Sequence, residues 1–381
     1  MSWLGIEGHD ALVERFRTAL SQRRLASTFL FVGPGGIGKR QFALRFAQTL
    51  LCLDHAPEQM NPCGVCESCR QFLAGTHPDL LQVSKPIDRA FLPIDLLIGE
   101  KGNRMREGLC FELSRAPFYR KRKIAIIDDA DYLNLEGANA LLKTLEEPPD
   151  RSVLILIGTS AARQLPTIRS RCQILPFRPL EISVVEAILH KIAASEEEPS
   201  AKNRKRKSVL IPDPGLIPKI APYSEGSISR ALDLADPEIW IFRRDFLQQL
   251  ANGLRERLEL GDKIAALIKA SGDAGAVKRK RFRVLLELAA DFYARLAAFL
   301  SGVTPDDENW RALLELAAAK WKLDAEGAAF AATRTLDRVE LLERNVNMSL
   351  LLDAWLDELM LFAQGDTRRM TPSEWTLKSL L

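Results

Sequence analysis

Residues 28–40 read TFLFVGPGGIGKR, an apolar segment that runs into four glycines and a lysine. The run 28–32 has the length of a buried strand, and from residue 42 onward apolar residues recur at helical spacing. A glycine-rich turn between a strand and a helix is the context of a phosphate-binding loop, whose backbone N–H groups point at phosphate. We therefore predict a nucleotide-binding type of α/β fold with phosphate contacts from Gly33, Gly35, Gly36, Gly38 and Lys39.

The position after Lys39 departs from the phosphate-loop pattern, which has Ser or Thr there to hold magnesium. This chain has Arg40, and a guanidinium has no lone pair with which to ligate a metal. The pattern therefore predicts the phosphate-loop fold and argues against ATP turnover at this site. The sequence leaves open whether ATP and Mg²⁺ bind here, and the alternative is a glycine turn without a ligand.

A second motif, KIAIIDDAD at 123–131, is an apolar strand that ends in carboxylates. In phosphate-loop proteins a carboxylate at this point, here Asp128, supports magnesium. The next acid normally polarises the attacking water and is usually Glu, whereas this chain has the shorter Asp129. A misplacement of ~1 Å can cost on the order of a hundredfold in rate, so Asp129 is a candidate catalytic residue with an unfavourable arm length. The alternative is a strand end with solvated acids.

Four of the six cysteines are close in sequence: Cys52, Cys63, Cys66 and Cys69. The two-residue gaps between the last three suit tight knuckles around a tetrahedral metal ion, and four thiolates leave no open coordination position. We therefore predict a structural Zn²⁺ site. His55 is a competing ligand, and an iron–sulfur cluster or four unligated thiols are the alternatives. Cys110 and Cys172 stand alone and are predicted to be ordinary buried residues.

The remaining pattern separates into two regions. Short apolar runs at 80–83, 124–127 and 153–157 alternate with helical patterns such as 135–146, and this alternation implies a parallel sheet covered on both faces. From about 179 onward the pattern is helical. Opposed charge blocks at 196–207 predict an exposed loop, for which DNA contact is the functional alternative.

The length of 381 residues suggests two or three domains. The formal charge of +3 is too small to imply nucleic-acid binding by itself. No stretch approaches the ~20 apolar residues that span a bilayer, and the first residues lack a signal-peptide pattern. We therefore expect a cytoplasmic protein without a membrane partner, in which the cysteines are reduced or metal-bound.

Taken together, these motifs resemble the clamp-loader AAA+ family. The resemblance also rests on HPD at 77–79, NALLKTLEEPP at 139–149 and LPTIRSRC at 165–172. It covers most of 1–235 and extends by pattern to the helical C-terminus, where RNVN at 344–347 is similar. The architecture it implies has three parts.

The first part is an AAA+ phosphate-loop ATPase domain of the α/β class over 1–178, with a four-cysteine zinc module at 52–69. A small helical lid domain follows over 179–238. An all-α collar domain over 239–381 would oligomerise by burying apolar helix faces, of which 284–300 and 341–362 are the clearest.

The resemblance also implies residue roles. Arg171, in Ser-Arg-Cys, would be an arginine finger that acts on the ATP of a neighbouring subunit, because its planar fork matches phosphate oxygens. Thr159 would be a polar nucleotide sensor, with Ser160 adjacent, and Arg230 would be the second sensor. The structural alternatives are a surface salt bridge for Arg171 and a helix-surface cation for Arg230.

The departures at Arg40 and Asp129 favour a non-motor member of a five-subunit ring that loads the sliding clamp onto primed DNA. The partners implied are the other clamp-loader subunits, the sliding clamp, and primed DNA through the assembled complex. One rival is a motor subunit that hydrolyses its own ATP. Another is an independent zinc-containing DNA-binding protein. The segment 94–118 is longer than expected, and its arginines could contact DNA or a partner.

Overall fold

A computed structural model describes residues 3–86, 89, 91–196, 213–254, 257–272, 275–343 and 346–364. Most of the charged segment 196–207, and the first two residues of RNVN, therefore lie outside the described residues. The chain divides into two compact units, Met1–Leu232 and Asp233–Leu381. The three-part division at 178 and 238 stays a prediction.

A parallel sheet of five strands forms the centre of the first unit. The strands are β1 Thr28–Val32, β2 Leu80–Val83, β3 Lys123–Ile127, β4 Ser152–Gly158 and β5 Gln173–Pro176. They lie in the order β2-β3-β4-β1-β5, and every neighbouring pair is parallel. The predicted strands are confirmed, and β5 is an additional edge strand. The carboxyl ends of β1 and β4 are in register, because Val32 lies opposite Gly158.

Alternate residues of the central strands enter two separate cores. Phe29 and Phe31 of β1 belong to the core on one face, whereas Leu30 and Val32 belong to the core on the other. The first core includes residues of α1 Asp10–Ser21 and α2 Lys39–Leu51, with α3 Glu67–Ala74 against it. The second includes residues of α4 Asp95–Ile98, α5 Leu109–Ser114, α6 Leu135–Glu146 and α7 Pro166–Arg169. The predicted α/β class, with helices on both faces, is confirmed.

The long segment 94–118 has a packing role. Leu97, Leu109 and Leu113 are buried in the second core. The loop between α4 and α5 closes tightly, since a Cβ on Gly108 would lie 2.5 Å from the backbone nitrogen of Gly99. The extra length therefore supplies two short helices that cover one face of the sheet.

The first unit continues into helices that follow the sheet. These are α8 Ile182–Glu196, α9 Ile217–Ile220 and α10 Ile228–Leu234, the last of which crosses the boundary between the units. Short 3-10 turns lie at Pro57–Gln59, Ala130–Tyr132, Ala161–Arg163, Pro214–Leu216 and Ala221–Ser224.

The second unit is helical throughout its described residues. Its helices are α11 Pro237–Ala251, α12 Arg257–Ala270, α13 Gly275–Leu300, α14 Glu308–Lys320, α15 Ala325–Glu343 and α16 Met348–Ala363. Asn347 caps α16 by accepting hydrogen bonds from two backbone N–H groups, so the predicted apolar face at 341–362 is shared between two helices. Among the described helices, none combines the length and the apolar character that a bilayer span requires.

Candidate functional site

The phosphate loop, residues 33–38, connects the end of β1 to the start of α2. Gly36 and Gly38 have φ of +73° and +95°, a region that favours glycine. Gly36 also allows a close approach, because a Cβ there would lie 2.4 Å from Oγ of Ser227. The backbone nitrogen of Ile228 donates to the Gly36 carbonyl at 2.9 Å. The start of α10 therefore packs directly on the loop.

The Lys39 ammonium lies inside this loop. Its Nζ donates to the carbonyl oxygens of Gly33 and Pro34, at 2.5 Å each. Burial lowers the pKa of Lys39, while the nearby Asp131 and Asp128 act to raise it. To contact a phosphate, the ammonium would have to exchange these carbonyl partners for phosphate oxygens. The predicted contact Gly35 has open space around it, since a Cβ there would meet nothing within 4 Å.

Arg40 forms an ion pair with the first acid of the second motif. Its Nε lies 3.5 Å from Oδ2 of Asp128. A carboxylate at this point would support magnesium in an active site of this class. Here the Arg40 guanidinium lies beside it instead, so part of the negative charge that a metal would otherwise neutralise is already balanced. The pair is partly exposed, so its net contribution to stability is small.

Asp129 lies at the start of a 3-10 turn with φ of +57°. Its Oδ2 accepts a hydrogen bond from the backbone nitrogen of Lys85 at 3.3 Å. Burial raises the pKa of Asp129, and the adjacent Asp128 adds to that shift. The carboxylate therefore has a partner in the segment that follows β2. Its catalytic role stays a prediction.

Asp131 is a member of the site that the sequence interpretation missed. The backbone nitrogen and the hydroxyl of Thr159 donate to its Oδ2 at 2.7 and 2.6 Å. Gln164 donates to Oδ1 at 2.6 Å. The hydroxyl of the predicted sensor Thr159 is thus held by an acid of the second motif. The available signal was the third acid in the run DDAD.

Arg230 lies on α10, the helix whose start contacts the phosphate loop. Its Nη1 is 2.6 Å from Oε2 of Glu225 in an ion pair. The side chain is largely buried, at 17 % exposure. The start of the helix that carries Arg230 thus contacts the loop, and the sensor role of Arg230 stays a prediction.

Arg171 lies near the amino-terminal end of β1, whereas the phosphate loop follows the carboxyl-terminal end of that strand. Its carbonyl accepts a hydrogen bond from the hydroxyl of Thr28, the first residue of β1, at 2.7 Å. The phosphate loop follows the other end of that strand, and five strand residues span roughly 16 Å. Arg171 is therefore too far away to reach the phosphate loop of its own chain. Its guanidinium forms a 2.6 Å ion pair with Glu146, so the salt bridge that was the structural alternative is present.

The four predicted zinc ligands converge in space. The sulfur atoms of Cys52, Cys63, Cys66 and Cys69 all lie within 4.8 Å of one another. Tetrahedral Zn–S bonds of ~2.3 Å place sulfurs about 3.8 Å apart, and Sγ of Cys63 lies 4.0 Å from Sγ of Cys69. Backbone N–H groups donate to three of the sulfurs at 3.3–3.4 Å, which favours thiolates. The donor set therefore fits a closed structural zinc site.

The other candidates lie outside this cluster. His55 directs Nδ1 to the carbonyl of Asn61 at 2.6 Å, and it is not part of the sulfur group. Cys110 is buried, as predicted, whereas Cys172 is only partly buried. Burial raises the pKa of Cys110 and raises that of Cys172 to about 12. Neither thiol has the character of a reactive nucleophile.

The motif HPD at 77–79 supports the cysteine cluster. Nδ1 of His77 accepts from the Asp79 backbone nitrogen at 3.0 Å, so Nε2 carries the proton and donates to Ser68 at 2.8 Å. The Ser68 hydroxyl in turn donates to the carbonyl of Leu51, beside Cys52. The Asp79 carboxylate accepts from two backbone nitrogens at 118 and 119. The Ser68 bonds fix α3, which carries the predicted ligand Cys69, to the end of α2.

Comparison with known proteins finds a family model that matches part of the first unit. Residues 8–181 match the family model described as DNA polymerase III, delta subunit. The delta' subunit of DNA polymerase III from Pseudomonas aeruginosa is 40% identical over 147 residues, 39% of this chain and 42% of that protein. The delta' subunit from Bacillus subtilis is 36% identical over 168 residues, 44% and 47% of the two chains. The resemblance to clamp-loader subunits is therefore confirmed.

A wider match extends into the helical region. The tau/gamma subunit of DNA polymerase III from Haemophilus influenzae is 27% identical over 288 residues, 75% of this chain and 38% of that protein. The chain thus spans less than half the length of each of these relatives. A solved structure of a gamma subunit-related protein from Thermotoga maritima covers 92% of this chain and 99% of that chain at 14% identity, with a TM-score of 0.38, which is too low to support a structural argument.

Proposed function

We propose, on the premise that residues 8–181 match the DNA polymerase III delta-subunit family, that this chain is a delta-prime-type subunit of the bacterial clamp loader. In this proposal it supplies Arg171 to the ATP site of a neighbouring subunit and does not hydrolyse ATP itself. The proposed partners are the other subunits of a five-subunit ring, the sliding clamp, and primed DNA through the assembled complex.

One observation carries the proposal: the separation of Arg171 from the phosphate loop of its own chain. Arg171 is bound to the first residue of β1, and the loop follows the last. A guanidinium at this end of the strands can act only on a phosphate that another molecule brings to it. In related phosphoryl-transfer systems an arginine supplied from a partner is worth ~10³–10⁵ in rate, because it stabilises charge in the transition state.

The chain's own site supports the non-motor part of the proposal. The residue after the loop lysine is Arg40, which cannot ligate magnesium and is paired with Asp128. The Lys39 ammonium is bonded to loop carbonyls. The Thr159 hydroxyl is bonded to Asp131. Three groups that would contact Mg²⁺–ATP in an active site of this class thus have protein partners instead: Asp128, Lys39 and Thr159.

Replacing Arg40 by serine tests this interpretation. The serine hydroxyl can ligate magnesium, and Asp128 loses its ion-pair partner. We expect Arg40→Ser to bind a fluorescent ATP analogue about tenfold more tightly with Mg²⁺ than with EDTA, because a charge-assisted metal contact is worth roughly one factor of ten or more. For the wild-type chain, the affinity for the ATP analogue is expected to be the same with Mg²⁺ and with EDTA. Equilibrium titration with and without the metal measures both.

Arg45→Ser is the matched control, because Arg45 lies on the same helix and bonds to Gln48 rather than to an acid of the site. Like the wild-type chain, this variant should bind the ATP analogue equally well with Mg²⁺ and with EDTA. Magnesium-dependent ATP hydrolysis by the purified wild-type chain, abolished by Lys39→Ala, would contradict the proposal. It would favour the alternative of a motor subunit. The wider match to a tau/gamma protein is the observation that supports this alternative.

A further inference from the structure

The Arg171 guanidinium is held on two sides in this chain. Nε and Nη2 lie 2.9 and 2.6 Å from the same oxygen of Glu146, Oε1. Nη1 donates to the carbonyl of Thr167 at 3.0 Å and to the hydroxyl of Ser170 at 3.1 Å. Glu146 therefore occupies the side edge of the guanidinium, formed by Nε and Nη2.

A guanidinium has five N–H donors arranged as a planar fork. With the side edge on Glu146, the end edge between Nη1 and Nη2 retains a hydrogen on Nη2 that has no partner among the contacts above. This end-edge hydrogen can therefore be donated to a phosphate oxygen while the side edge stays bonded to Glu146. This division of the donors lets one carboxylate orient the arginine without blocking it.

Glu146 is well placed for such a role. It is the last residue of α6, and the helix is anchored by Leu141 and Leu145, which are buried in the second core. The helix and Arg171 are brought together by packing of α6 against α7 in the same core. A carboxylate at the end of a packed helix gives a fixed reference point for a long, flexible side chain.

We propose that Glu146 is a positioning residue for Arg171: its carboxylate fixes the side edge of the guanidinium so that the end edge faces the ATP of the neighbouring subunit. This inference rests on the proposed function. The side chains are 32 % and 49 % exposed, so solvent screens their attraction and the pair adds little to folding stability. The ion pair instead affects the orientation of Arg171, and therefore the rate of ATP hydrolysis on the neighbouring subunit.

The expected effect follows from side-chain freedom. Arginine is among the side chains that lose the most rotamer freedom when ordered. Without Glu146 the neighbour's phosphate must order the guanidinium itself, and turnover at that site should fall by about tenfold. Glu146→Gln keeps a side-chain oxygen that accepts hydrogen bonds, so it should retain most of the rate. The effect is expected in kcat, with KM for ATP unchanged, because Arg171 acts on the transition state.

The test uses a complete reconstituted ring in which only the subunit facing Arg171 can hydrolyse ATP. Clamp- and DNA-stimulated ATPase is compared for wild type, Glu146→Ala, Glu146→Gln and Arg171→Ala. Glu147→Ala is the matched control, an exposed glutamate one residue away. We expect about a tenfold fall for Glu146→Ala, less than twofold for Glu146→Gln and none for Glu147→Ala. Thermal unfolding of the isolated Glu146→Ala chain should match wild type.

A double variant separates this inference from the proposed function. Adding Glu146→Ala to Arg171→Ala should cause no further loss if the two act as a unit. If Arg171→Ala itself retains full activity, the proposed function fails. If Arg171→Ala is slow while Glu146→Ala equals or exceeds wild type, only the positioning role is overturned. The same is true if Glu146→Ala slows the ring equally in the Arg171→Ala background.

Discussion

Replacing Arg171 by alanine is expected to slow ATP turnover on the neighbouring subunit by about 10³-fold, the lower end of the range for arginines supplied from a partner. The variant should leave the fold intact, because the arginine's hydrogen bond to Thr28 uses its backbone carbonyl and its side-chain ion pair is partly exposed. Single-turnover hydrolysis measures this effect in a ring whose other ATP sites are inactive.

Two further variants sharpen this test. Arg171→Lys keeps the positive charge but loses the planar fork, so we expect a rate between those of wild type and Arg171→Ala. Arg169→Ala changes an exposed arginine at the end of α7, two residues before Arg171, and should behave like wild type. Equal rates for Arg169→Ala and Arg171→Ala would mean that general positive charge, and not a placed guanidinium, accounts for any loss.

Removal of the predicted zinc ion is expected to lower the melting temperature of the first unit by roughly 10 °C or more. Binding of a structural zinc ion contributes directly to folding free energy, and each kcal/mol corresponds to roughly 2–4 °C in a domain of this size. The cluster includes two fully buried cysteines, Cys52 and Cys69. Cys69→Ser removes one of these ligands and should reproduce the effect of a chelator.

Zinc content by elemental analysis and thermal unfolding by circular dichroism test this prediction. We expect about one zinc per wild-type chain, as for a single four-thiolate site, and substoichiometric metal in Cys69→Ser. His55→Ala is the control, because His55 lies outside the sulfur group, and it should keep both metal and stability. A wild-type chain that contains no metal and exposes four freely titratable thiols would contradict the zinc assignment.

Much of the first unit could be predicted because its signals are local. The phosphate loop, the short apolar strands and the four clustered cysteines are each recognisable within a stretch of about 20 residues or fewer. The second-motif acids Asp128 and Asp129 were likewise identifiable from a single run. Local periodicity also predicted the helical second unit, although the break before Asn347 could not be located from apolar spacing alone.

The remaining features depend on contacts between distant parts of the chain. The bond from Thr159 to Asp131 joins two strand ends 28 residues apart, and that from Arg171 to Glu146 joins residues 25 apart. No periodicity specifies which acid a side chain will meet. The strand β5 was missed because it has only two consecutive apolar residues, Ile174 and Leu175, before Pro176. The segment 94–118 was unexplained because its buried leucines face a core that only the complete sheet creates.

In the proposed function this chain acts on a neighbour's ATP and not on its own. The most direct measurement adds the purified chain to an ATP-loaded motor subunit and follows magnesium-dependent phosphate release from each component alone and from the mixture. We expect no release from the chain alone, and a faster rate in the mixture that Arg171→Ala removes. Release by the chain alone, together with a mixture no faster than the sum of its parts, would contradict the claim.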